Sequence, residues 1–189
     1  METSVEIYYR SLYEVAAVLN SSRTAKKILQ CIVENVAKTV GAKGCSVLLL
    51  TPDKKVLTHT ASYGLSERFI KKGPVLADKS LSEALEGKVV NVINVLEDDR
   101  IQYPEQARNE GVSSVLSMPM MLREEIIGVI RVYTAEPRQF TKDDIYFVGA
   151  IANLGAIAFE NAKLYEALKK DYETFRREYF ISLGEDRAW

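Results

Sequence analysis

Arg100 and Tyr103 stand close together in the polar stretch NVLEDDRIQYPEQARNEG, and between them they could hold an anionic ligand. A guanidinium donates paired hydrogen bonds to a carboxylate or phosphate, and a tyrosine adds an aromatic face and a hydroxyl. Plainer roles are open to both. Arg100 follows Glu97, Asp98 and Asp99, where charges pair in solvent at little gain, and Tyr103 precedes Pro104, where it could pack at a helix entry. Met118 and Met120 share one strand face with Ser114 and Leu116, and methionine lines irregular cavities as readily as it fills cores. His59, the only histidine, reads as sharing a face with Leu57, Ala61 and Tyr63; it could be a ligand or a haem axial partner but has no companion donors. The candidate ligand-binding set is Tyr63, Arg100, Tyr103, Met118 and Met120.

Catalytic patterns are absent from this list. Cys31 falls on the apolar side of a helix and Cys45 opens a core strand, which is neither a disulfide framework nor a zinc signature. No nucleophile elbow, glycine-rich phosphate loop or HExxH occurs, so the sequence supports no reaction. A formal charge of -1 and a pI near 6.0 give no basic signature for nucleic acid. The most apolar stretch, SSVLSMPMMLREEIIGVIRVYT, cannot span a bilayer with Arg123, Glu124 and Glu125 at its centre. The N-terminus has no secretory pattern, which leaves the cytoplasm as the default.

The elements that must position these residues follow from periodicity. Pro119 and the many β-branched residues make the apolar stretch an antiparallel hairpin, Val115 to Leu122 and Ile126 to Thr134, with Gly128 a bulge or a point of close approach. Ala25 to Val40 forms one amphipathic helix stopped by Gly41, and Cys45 to Leu50 reads as a strand buried on both faces, followed by a second through Tyr63. The middle third is irregular, with short helices at Glu67–Lys72, at Leu81–Glu86 behind a Ser80–Glu83 capping box, and at Pro104–Asn109, and a strand from Val89 to Asn94. Thr141 and Asp144 cap a helix running to near Ile181. Strands flanked by helices at both ends give an α+β fold with a mostly antiparallel sheet.

In this order ILQCIVENVAKTVGAKGCSVLLL, SLSEALEGKVVNVINVLEDDR, SMPMMLREEIIGVIRVY and FTKDDIYFVGAIANLGAIAFENAKLYEAL resemble the GAF domains, small regulatory modules of signalling proteins. The resemblance covers about residues 22 to 168. It implies a central antiparallel sheet with the terminal helices packed on one face and a small-molecule pocket on the other, beneath the irregular middle third. Subfamily features act by exclusion. Val132-Tyr133-Thr134 replaces the Asn-Lys pair of the cyclic-nucleotide class, although Phe140 and Asp144 are compatible with it. No cysteine follows Cys45 to carry a bilin, and neither cysteine lies where the methionine sulfoxide reductase subfamily would need it.

Two seams at three- and four-residue spacing flank this region: Val5, Tyr8, Leu12, Val15 and Leu19, and a longer one from Ile151 through Leu168, Tyr172 and Phe175 to Tyr179. They divide the chain into an N-terminal dimerisation helix (1–21), a GAF-like domain (22–168) and a C-terminal helical extension (169–189). The expectation is a non-catalytic sensory homodimer that binds an unidentified small molecule, with any cofactor unknown. No kinase, cyclase or helix-turn-helix pattern follows, so it would signal through its terminal helices to a separate output protein. A ligand-free dimerisation scaffold is the alternative, and a thiol reductase a distant third.

Overall fold

The computed structural model describes residues 3–21, 24–77 and 81–185. Two helices lead: α1 (Ser4–Ser21) and α2 (Ala25–Val40). Strands β1 (Gly44–Leu50) and β2 (Val56–Tyr63) follow, then α3 (Glu67–Ile70), β3 (Val75–Leu76), α4 (Ser82–Leu85), β4 (Val90–Val92) and α5 (Pro104–Glu110). The long hairpin β5 (Ser114–Leu122) and β6 (Glu125–Thr134) leads into α6 (Lys142–Glu185). The strands form one six-stranded sheet in the order β3-β2-β1-β6-β5-β4, antiparallel at every pairing. The Ser80 half of the expected capping box lies outside the described residues.

The two faces of the sheet close two separate cores. On one, Val47, Leu116, Ile130 and Val132 meet the buried stripe of α2 and the apolar first half of α6, including Phe147, Val148, Ile151 and Ala152. On the other, Leu48, Val115, Val129 and Tyr133 meet Phe69, Leu81, Ala84 and Ala107 from the short helices. Because the chain alternates sides along each strand, β1 and the hairpin are apolar on both faces, as their unbroken hydrophobic runs demand. Gly128 is a close-approach point: a Cβ there would lie 2.4 Å from the Leu48 carbonyl oxygen.

Beta-2 carries an irregularity that the sequence does not announce. Val47 pairs with Ala61 but Leu48 with His59, so Thr60 is an extra residue that inverts the alternation. Leu57 and His59 therefore lie on the face of the short helices, while Ala61 and Tyr63 lie under α2, with Lys38 Nζ 5.5 Å from the Tyr63 ring centre. The face shared by all four residues is thus corrected by one bulge.

Alpha-1 and α6 are locked at one end by Asp144, which is fully buried. Its carboxylate accepts from Tyr8 Oη (2.8 Å), Arg138 Nη2 (2.8 Å) and both the amide and the hydroxyl of Thr141 (2.9 Å each), while Thr141 Oγ1 accepts from the Asp144 amide. Burial opposes ionisation of Asp144, but the hydrogen bonds and the Arg138 charge outweigh it and hold the carboxyl below its usual range.

This layering predicts that Ile130→Asp, which places an unpaired carboxylate in a site with no solvent exposure, costs several kcal/mol. Ile127→Asp, at a partly buried position, should cost less, and Glu124→Lys in the exposed turn should stay within about 0.5 kcal/mol. Denaturant melts followed by circular dichroism check this order; a reversed order would contradict the register.

Candidate functional site

The face covered by the short helices holds the chemistry. Position 131 interrupts an otherwise apolar strand, and period two sends its side chain to the side of Val129 and Tyr133. Arg131 pairs across the sheet with Ser46 on β1 and Ser117 on β5, all three buried. The guanidinium lies 5.7 Å from the Tyr133 ring centre, and the Tyr133 hydroxyl shares a 3.0 Å hydrogen bond with Ser46 Oγ.

Above it lies Lys72, just past the end of α3. Its Nζ donates to the Phe69 carbonyl at 3.0 Å, lies 3.3 Å from His59 Nε2 and sits 3.8 Å from the Phe69 ring centre. Phe69 in turn meets Tyr133 edge-on at 5.6 Å. Arg131, Lys72, Gln102, Tyr103 and Tyr133 line one cavity of about 20 Å³. That is room for about one water molecule.

Its cover is latched by polar contacts. Tyr103 Oη and Gln102 Nε2 both donate to the Pro74 carbonyl, at 2.9 and 3.2 Å, and the Leu76 amide donates to Gln102 Oε1 at 3.0 Å. Gly73, at φ +135°, leaves the space that Tyr103 fills, since a Cβ would come within 2.6 Å of its hydroxyl. Ser66 donates to the Glu110 carboxylate through both its amide and its hydroxyl, joining the start of α3 to the end of α5.

Of the five candidates, Tyr103 lies at this cavity. Arg100 is held outside its lining by Asp98 (Nη2 to Oδ2, 2.6 Å) and Glu83 (Nη1 to Oε1, 3.2 Å), the acidic pairing that its neighbours in sequence suggested. Tyr63, Met118 and Met120 sit in the opposite core beneath the long helices, with Met118 and Met120 next to Gly149 and Gly155 of α6. The structure thus places them away from this cavity: β5 is buried on both faces, so periodicity groups Met118 with Met120 but does not say which side they face. Arg131 and Lys72, which line the cavity, are not among the residues expected from the sequence, where the one signal for them is the lone charge inside IIGVIRVY.

The local charge is one-sided. Burial first, then the positive charges of Lys72 and Arg131, push His59 down to about 3, so its ring is neutral. Burial and Arg131 push Lys72 down to about 8 against the opposing pull of Glu110. Because the folded value for His59 lies below its unfolded one, the stability it contributes is intact above its unfolded value. It is lost as pH falls from about 6.5 toward 3. The single histidine should therefore show ring signals in NMR that stay at the neutral position from about pH 7 to about pH 5 in the folded chain. A titration midpoint between these limits would contradict the site geometry.

A GAF domain family profile matches residues 22–160. A methyl sulfide methyltransferase-associated sensor of Methanosarcina acetivorans is 27% identical over 139 residues, covering 70% of this chain and 14% of that protein. The chain spans 14% and 12% of the length of the curated relatives it matches. Among solved structures, the GAF domain of a phosphoenolpyruvate-protein phosphotransferase from Coxiella burnetii superimposes with a TM-score of 0.76 at 15% identity, covering 88% of this chain and 99% of that one. Free methionine-R-sulfoxide reductase from Neisseria meningitidis, solved with its substrate, gives 0.71 at 16% identity, covering 87% and 94%. At these identities the two structures share the fold alone. The family profile spans all six strands of the sheet, the short helices, α2 and the start of the long helix, and the chain belongs to the GAF domain family.

Proposed function

We propose that this chain is a non-catalytic, cytoplasmic sensory domain. It binds a small molecule between the sheet and its short-helix cover and signals through its terminal helices as a homodimer to a separate output protein. The observation that carries this reading is the pairing of a largely apolar chamber holding two cations, Arg131 and Lys72, on one face with an apolar helical surface beyond the other. Leu154, Ile157, Leu164, Leu168, Tyr172 and Phe175 of α6 are all more than a third exposed. Leu154 and Ile157 border an open groove of about 600 Å³ against Ala16 and Leu19 of α1. From Lys169 to Glu178 the helix is otherwise mostly charged, and a helix of this kind gains its stability mainly from packing against a partner. A second copy related by a two-fold axis supplies that surface. The division into a dimerisation helix (1–21), a ligand-binding domain (22–168) and a helical extension (169–189) goes with this reading.

The apolar first half of α6 has the length and composition of a membrane span, but its buried side chains belong to the core beneath the sheet. Thiol chemistry is disfavoured because burial pushes both Cys31 and Cys45 above the usual thiol range, away from the reactive thiolate. The ligand-free scaffold is the second reading, and the small size of the chamber, about 20 Å³, is what favours it.

Native mass spectrometry tests both halves. The intact chain should run as a dimer and take up a small molecule saturably from a metabolite library, and a Leu168, Tyr172 and Phe175 triple Ser variant should run as a monomer. A monomeric intact chain would contradict the helical dimer, and a dimer that takes up nothing from a broad library would leave the scaffold.

A further inference from the structure

Arg131 is a cation sealed into the sheet without a counter-charge. It is 7% exposed, and its Nε is buried with no hydrogen-bond partner. Among the described residues no carboxylate forms an ion pair with it. The Tyr133 ring face offsets part of the charge but leaves the N–H groups without acceptors. The second cation, Lys72, faces the same cavity, and its own bonds go to a neutral carbonyl and a neutral imidazole. His59 Nδ1 is likewise buried without a partner. A layer built only for packing would place an aliphatic side chain at position 131, because an uncompensated buried charge destabilises the fold that holds it.

We propose that this chamber binds an oxyanion, the carboxylate or phosphate group of a small metabolite, with the Arg131 guanidinium as its main donor and the Lys72 ammonium as its second. This rests on the ligand-binding reading above and gives that ligand its chemical class. The guanidinium edge suits two parallel hydrogen bonds to an oxyanion, and Lys72 adds a point charge from the cover. A chamber with room for about one water cannot take such a group as it stands. Entry therefore requires the segment latched by Tyr103, Gln102 and Pro74 to move outward, which makes binding and displacement of the cover one event.

Thermal melts of the intact chain in sodium phosphate and in sodium succinate, each against sodium chloride at equal ionic strength, test the proposal. The melting temperature should rise saturably with at least one of the two anions, and the stronger arm identifies phosphate or carboxylate. Arg131→Met should abolish that rise and should melt no lower than the intact chain in chloride, since it removes an unpaired charge. Lys72→Gln, at a half-buried position in the cover, should weaken the rise several-fold and serves as the readout if Arg131→Met fails to fold. An intact chain with no rise beyond chloride, or a rise that persists in both variants, overturns the proposal. If a neutral metabolite binds equally to the intact chain and both variants, the sensor reading stands and the oxyanion site falls. If the anion binds to a monomer, the oxyanion site stands and the dimer falls.

Discussion

The pairing of β6 with β1 on one side and β5 on the other governs the rest of the molecule. Once Arg131 is opposite Ser46 and Ser117, the two-residue period assigns every neighbour. Ile130 and Val132 must face the long helices, and Val129, Arg131 and Tyr133 must face the short ones. A slip of one residue would bury the guanidinium beneath α2 and α6 and turn the hairpin's apolar residues to the wrong layers. The register is therefore also the device that sets a charge at the floor of the chamber.

The same strand brings the two layers into contact. Behind Arg131, Ile130 and Val132 pack with Met118 and Met120, and these methionines touch the helix at Gly149 and Gly155. A Cβ at Gly149 would make only ordinary contact with Met118 at 3.7 Å, whereas one at Gly155 would come within 2.4 Å of Ile32 Cδ1, so glycine at 155 lets α6 lie close to α2. A displacement of β6 caused by a ligand would thus reach α6 through one layer of side chains. From there α6 continues into its exposed second half, and α1 follows it because Tyr8 binds the buried Asp144. Interiors packed at this density transmit small shifts rather than absorbing them.

Most of the framework could be read in the sequence because its signals are local. The α2 stripe ends where Gly41 turns left-handed at φ 64°, the hairpin turns at Arg123, and the Thr141–Asp144 box starts α6 where expected. The chamber could not be read in the same way. Its walls come from α3, β3, the connection from Val95 to Tyr103, α5, β5 and β6, and the side on which His59 meets Lys72 depends on a bulge at Thr60 that no glycine or proline marks. Strands buried on both sides also give no alternation to say which way Met118 points. Arg100 drew attention because it is an arginine in a loop, yet Asp98 and Glu83 already neutralise it. The informative arginine was the one in the strand, where a charge has no reason to be unless something compensates it.

The most direct test of this account is the Arg131 side chain itself. In a nitrogen-15 correlation spectrum, its Nε–H should give a slowly exchanging signal in the free chain, since that group is buried and bonded to nothing. On titration with phosphate or succinate the account predicts that this signal moves downfield and saturates, together with backbone amides of the cover near Tyr103. An Arg131 Nε–H signal that stays in place while the anion is added to excess would contradict it.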